Sequence, residues 1–184
     1  MKIYSTRHGQ TNYNKDDIIL GTTDLPLNET GLAQAQELAE RVAELGDVDL
    51  IVCSPMLRAQ TTAKAVSERC GIPIITDERL REWCYGEFEG KPRFTEGFAE
   101  NKTEFGVKMR GGGESLFQLC HRVYSALDHI IAEFGSKTVL IVSHGGVCRV
   151  IETYFNDMTT EQFRNWFMGN CQIIEYNIQN GGES

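Results

Sequence analysis

Two histidines and two arginines carry the chemistry of this 184-residue sequence, and each follows an apolar run of strand length. "MKIYST" leads into Arg7 and His8 of "TRHGQTNYN", and "VDLIVCS" (48–54) leads through Ser54 to Arg58. "KTVLIVS" (137–143) leads into His144, Gly145 and Gly146. In open α/β sheets ligands bind beyond the carboxyl ends of the strands, where helix starts also favour anions. These residues are therefore expected on one edge, and their types suit a phosphoryl group. A guanidinium is a planar, permanently charged fork of donors, so Arg7 and Arg58 read as clamps. A neutral imidazole is a competent nucleophile toward phosphorus, and a neighbouring arginine keeps the proton off it. The glycines beside each histidine let backbone approach a substrate closely.

The elements needed to hold such an edge are present in the pattern. The two near-continuous apolar runs read as parallel core strands covered on both faces. Each precedes helix-forming sequence: residues 55–71, with Pro55 near the start and Gly71 at the end, and residues 145–155. Residues 29–46 form an amphipathic helix with Leu32, Ala35, Leu38, Ala39, Val42 and Leu45 on one stripe, and residues 114–135 form a long one. "IPIIT" (72–76) and "CQIIEYNI" (171–178) add two strands. Alternating strands and helices predict a three-layer α/β/α sandwich with a largely parallel central sheet, in a single domain spanning 1–184. Residues 86–113 are rich in Gly and charge with weak periodicity, and read as a short cap excursion over the site. The tail "NGGES" reads as frayed.

Composition removes several classes. A net charge of -8 without a Lys/Arg run argues against a nucleic-acid surface. No apolar stretch approaches the roughly 20 residues of a spanning helix. The opening residues are too short and polar for a signal peptide, so the expected location is cytoplasmic, where the six scattered cysteines are free thiols. There is no phosphate-cradling G-x-x-x-x-G-K-[ST] loop and no H-E-x-x-H metal motif. Cys53 and Arg58 nearly match the loop of cysteine-dependent phosphatases, but four residues separate them where that loop has five.

The chain resembles the histidine phosphatase superfamily, the phosphoglycerate mutase-like proteins, well beyond "RHG". "LGTTDLPLNETGLAQA" (20–35), "CSPMLRAQTTA" (53–63), "LREWCYGEFEG" (80–90), "GGGES" (111–115) and "SHGG" (143–146) are similar to its successive motifs, in its order. The resemblance implies His8 as the nucleophile that becomes phosphohistidine, with Arg7, Arg58 and His144 on the phosphoryl oxygens. It implies Glu82 as the acid that protonates the leaving oxygen and then the base for the attacking water. Asn14 is similar to a residue that adds a phosphate contact, although it also suits a turn or cap. Gly21 and Gly145 fall in substrate-facing segments, and Tyr85, like Trp83, either stacks on an organic leaving group or packs. No metal or other cofactor is implied.

The reading is thus a metal-independent phosphomonoesterase for a small phosphorylated metabolite, with mutase-type transfer as the alternative and a non-catalytic phospho-ligand module as a third. Mutases of the family carry a longer insertion with a basic pair and place Asn after "HG". This chain has Lys108-Met109-Arg110 and Gly146. Both departures favour hydrolysis. Lys91, Arg93, Lys108 and Arg110 either read the substrate's far end or are solvated. His121 and His129 read as ordinary helix residues.

Overall fold

The structure, a computed structural model, describes residues 1–178; the "NGGES" tail lies outside them. In chain order the elements are β1 (Lys2–Arg7), α1 (Asn12–Lys15), α2 (Glu29–Leu45), β2 (Leu50–Cys53), α3 (Leu57–Cys70), β3 (Ile74–Thr76), α4 (Phe98–Asn101), α5 (Leu116–Phe134), β4 (Thr138–Ser143), α6 (Gly145–Phe155), α7 (Thr160–Asn165) and β5 (Ile173–Asn177). The sheet runs β3-β2-β4-β1-β5. Four strands are parallel, and β5 pairs antiparallel with β1 at the edge.

Neighbouring residues along each strand point to opposite faces, and both faces are covered. Tyr4, Ile51, Leu140 and Val142 pack with Leu38, Ala39 and Val42 of α2 and Ala59, Ala63 and Val66 of α3. Ile3, Leu50, Val52, Val139 and Ile141 pack the other way, against Leu119, Val123 and Leu127 of α5 and Val147, Val150 and Ile151 of α6. Each fully buried aliphatic side chain of this kind contributes about 1.5–3 kcal/mol relative to exposure.

The stripe expected on α2 needs correction at its margins. Leu32 and Leu45 are 48% and 41% exposed, and Gly31 is buried in their place. The reason lies in the loop after β1. Asn28 caps α2 by accepting from the Gly31 N–H at 2.8 Å, while its own N–H reaches the carbonyl of Gln10 at 3.0 Å. Gly31 is pressed against the Gln10 backbone so closely that a Cβ would collide with the Gln10 carbonyl oxygen. The first turn of α2 thereby supports the loop that carries His8.

The excursion is anchored rather than loose. Its stem is closed by Glu87 N–H to the Arg110 carbonyl at 2.8 Å and Glu114 N–H to the Cys84 carbonyl at 2.9 Å. Gly86 has φ +58, and a Cβ there would strike the Arg110 carbonyl. Phe88, Phe98 and Met109 of the excursion are buried in the α5-side cluster. Among the described residues no helix is long and apolar enough to cross a membrane.

Candidate active site

β1, β2 and β4 end side by side, and the residues after them meet. The His8 N–H bonds the Ser143 carbonyl at 2.9 Å, and the Ser54 N–H bonds Val142 at 3.0 Å. Arg7, His8, Ser54, Arg58, Glu82 and His144 are all buried. The two imidazole rings lie 5.1 Å apart, edge to face.

The hydrogen bonds assign the tautomers. His8 Nδ1 lies 2.7 Å from the Gly9 carbonyl, which can only accept, so Nδ1 carries the proton and Nε2 is bare. Arg58 Nε, always a donor, lies 3.2 Å from His8 Nε2 and 3.2 Å from His144 Nδ1. His144 Nδ1 therefore accepts, and its Nε2–H donates to Ser54 Oγ at 2.7 Å. Burial first, then the charges of Arg58 and Arg7, hold His8 well below the ordinary imidazole value. Burial and Arg58 do the same for His144. Both rings are neutral at pH 7.

The arginines are held from behind. Arg58 donates through Nη1 to the Thr23 carbonyl at 2.9 Å and through Nη2 to the Gly21 carbonyl at 2.8 Å. Gly21 serves the site through that carbonyl, and a Cβ there would meet the Trp83 carbonyl at 2.6 Å. Arg7 donates through Nη1 to the Met168 carbonyl at 3.0 Å, while its buried Nε has no partner in the protein. Glu82 is placed by two backbone donors: Trp83 N–H to Oε1 at 2.8 Å and Gly146 N–H to Oε2 at 3.1 Å.

Arg7, His8, Asn14, Glu82, Tyr85, Gly145 and Gly146 line one cavity of about 40 Å³. Asn14 lines the cavity and also accepts from the Thr11 N–H in the capping box that starts α1, so the cap expected of it is present. Tyr85 faces the cavity between Trp83 and Phe98, each with its ring centre 5.4 Å away. Trp83 itself is core, donating to the Glu114 carbonyl at 2.8 Å. A larger open groove of about 630 Å³, beside Met56, Arg81, Cys84 and Lys108, contains neither histidine.

Of the four excursion cations singled out in the sequence, Lys91, Arg93, Lys108 and Arg110, only Arg93 lines the histidine cavity, and it is held by Asp17 at 3.0 Å. Lys108 faces the larger groove, while Lys91 and Arg110 lie over the Phe88 ring. Sequence reasoning missed Lys102 and Arg149, which line the cavity, and the Trp166–Met168 segment that closes it. Arg149 stands four residues after Gly145 on α6, the one-turn spacing that could have found it. His121 and His129 lie exposed on α5. Among the described residues no group of three or more metal-binding side chains converges.

Comparison with known proteins places the chain in a family. The model of the histidine phosphatase superfamily (branch 1) matches residues 3–184. A phosphoglycerate mutase-like protein 4 of Arabidopsis thaliana is 34% identical over 158 residues, covering 80% of this chain and 68% of its own. A probable phosphoglycerate mutase GpmB of Yersinia pestis is 30% identical over 187 residues, covering 97% and 86%. Among solved structures, Bacillus stearothermophilus YhfR superposes with a TM-score of 0.86 at 30% identity, covering 98% of this chain and 92% of its own. The alpha-ribazole phosphatase of Shigella flexneri gives 0.83 at 26% identity, with coverages of 98% and 92%. A mycobacterial glucosyl-3-phosphoglycerate phosphatase complexed with VO3 gives 0.81 at 26%, with coverages of 95% and 91%. With its motifs in order, its histidines paired across the sheet edge and residues 3–184 matched by the family model, the chain belongs to the histidine phosphatase superfamily.

Proposed function

We propose that this protein is a metal-independent phosphomonoesterase acting on a small phosphorylated metabolite through a phosphohistidine at His8. The observation that carries the reading is the bare Nε2 of His8, directed at the buried Arg58 and held in that tautomer by the Gly9 carbonyl. Nε2 attacks phosphorus and the ester P–O bond breaks, while Glu82 delivers a proton to the leaving oxygen. Water then attacks the phosphohistidine and gives a proton to Glu82. The P–N bond breaks, releasing inorganic phosphate and restoring neutral His8. Arg7, whose Nε lacks a protein partner, Arg58 and His144 take the phosphoryl oxygens, where buried donors are worth more than in water. Asn14 and the Gly145 backbone complete the pocket, and Arg93, Lys102 and Arg149 face the substrate's far end.

Gly146, the short excursion and the likeness to two phosphatases of known structure support hydrolysis over transfer. The mutase names of the sequence relatives support transfer. A screen of phosphorylated metabolites decides between them. Hydrolysis predicts release of inorganic phosphate that persists in EDTA; interconversion of 2- and 3-phosphoglycerate, dependent on 2,3-bisphosphoglycerate, would replace this reading by a mutase. Acid-labile labelling of the protein by a phosphomonoester is expected to vanish in His8→Ala. Equal labelling of both proteins would remove His8 as the nucleophile.

A further inference from the structure

The two histidines share one donor, and that sharing sets a problem for catalysis. Arg58 Nε carries a single hydrogen, 3.2 Å from both His8 Nε2 and His144 Nδ1. A phosphoryl group bonding to His8 Nε2 must place its oxygens at the same point. Arg58 then donates to an oxygen, and His144 Nδ1 is left facing that anionic oxygen. In the tautomer fixed by Arg58 and Ser54, Nδ1 presents a lone pair, and two acceptors face each other. The arrangement is favourable only if Nδ1 becomes a donor.

We propose that Ser54 is a positioning residue that lets His144 exchange tautomers: acceptor at Nδ1 toward Arg58 before the phosphoryl group arrives, donor at Nδ1 once it is bound. The inference rests on the reading of His8 as the phosphoryl acceptor. A hydroxyl both donates and accepts, so Ser54 Oγ can receive Nε2–H in the first state and give its own hydrogen to Nε2 in the second. The exchange removes one proton from Nε2 and adds one to Nδ1 through solvent, with no net uptake, and Ser54 keeps its proton throughout. A carboxylate at this place would only accept and would hold the proton on Nε2. A methyl would leave a buried ring nitrogen without a partner.

The surroundings of Ser54 fit a fixed pivot. Its N–H bonds Val142 at 3.0 Å, its carbonyl accepts from Gln60 Nε2 at 2.5 Å, and its Oγ accepts from the Met56 N–H at 3.3 Å. The backbone is held on both sides while the hydroxyl hydrogen remains free to turn. Ser54 and His144 are both fully buried, so between exchanges no bulk water stands in for the hydroxyl, and the exchange itself takes place when solvent enters with the ligand.

Nitrogen-15 NMR of the histidine rings tests this directly, with vanadate as the phosphoryl mimic. The expected result is a neutral His144 protonated at Nε2 without vanadate and at Nδ1 with it. A vanadate-bound His144 that keeps its proton on Nε2 alone, or that carries protons on both nitrogens, would overturn the inference. Absence of any vanadate effect on the His8 ring would overturn the phosphoryl reading itself, and with it this one. Ser54→Ala should lower kcat about tenfold or more with little change in KM, and should abolish the clean switch. An unchanged kcat in a folded variant would equally overturn the role, and the wild-type spectra stand whether or not that variant folds.

Discussion

Glu82 Oε2 accepts the main-chain N–H of Gly146 at 3.1 Å, so the carboxylate fills the space that a side chain at 146 would occupy. A Cβ there would lie 2.6 Å from Glu82 Oε1 and 3.0 Å from the Tyr85 hydroxyl. Both are side-chain ends, so Gly146→Ala is expected to fold and to displace Glu82 rather than to break α6. A displaced acid matters most when the leaving oxygen is a poor leaving group. Gly146→Ala and Glu82→Gln should both lower kcat/KM for an alkyl phosphate by about 10²–10⁴, and far less for p-nitrophenyl phosphate. Equal losses on the two substrates would remove Glu82 as the proton donor.

Gly31 carries a second close contact, this one between backbones. Its would-be Cβ lies 2.7 Å from the Gln10 amide nitrogen and closer still to the Gln10 carbonyl oxygen. Neither atom can swing aside, and Gly9 is packed against the Gly31 carbonyl in return. Gly31→Ala should therefore destabilise the protein by about 1–3 kcal/mol or more, as overpacking does. Urea unfolding measures it. A stability within a few tenths of the parent would show that α2 does not buttress the His8 loop.

Most of the scaffold was legible because the three central strands, β1, β2 and β4, are buried on both faces. Runs such as "KTVLIVS" have no other reading at that length, and the Gly at the ends of α2 and α3 marks their stops, with φ of +68 and +71. Arg7, His8 and His144 were legible because each stands at the end of a strand, whereas Arg58 lies in the first turn of α3 and Glu82 was reached through the family resemblance alone. What escaped was set by tertiary contact. Leu32 fits the helical stripe by period, yet Gly31 takes the buried place because a loop from β1 crosses there. Lys102 sits in a segment without periodicity, as the C-cap just after the four-residue helix α4, with its ammonium over the ring of the buried Phe98 beside the cavity. The Trp166–Met168 strap follows α7, whose capping box, Thr159 with Gln162, was a readable but unread signal.

Lys102 makes the cavity sensitive to alkaline pH. Burial, then the charges of Arg149 and Arg93, push its ammonium down to about 8, against the pull of Glu82. Its charge is present below that value and lost above it. For a phosphomonoester with a second anionic group, KM should rise between pH 7 and 9. For one with a neutral tail it should stay nearly level. Lys102→Met should raise KM for the first substrate at pH 7 and remove the difference in pH dependence. Identical profiles for both substrates in the parent protein would show that Lys102 does not meet the tail.

The neutral histidines also tie stability to pH. His8 and His144 are both held well below the unfolded imidazole value of about 6.5, chiefly by burial and then by Arg58. A depressed value means that the unfolded chain takes up protons the folded one refuses. The associated stability is complete above about pH 6.5 and falls as pH drops toward the folded value, by about 1.4 kcal/mol per unit for each ring. Replacing one ring removes its share, and groups common to both proteins cancel in the comparison. Between pH 7.5 and 5.5, His8→Asn should thus lose about 1.4 kcal/mol less than the parent in urea unfolding. Equal losses would mean that His8 accepts a proton inside the fold as readily as outside it, and a ring so charged could not offer its Nε2 to phosphorus.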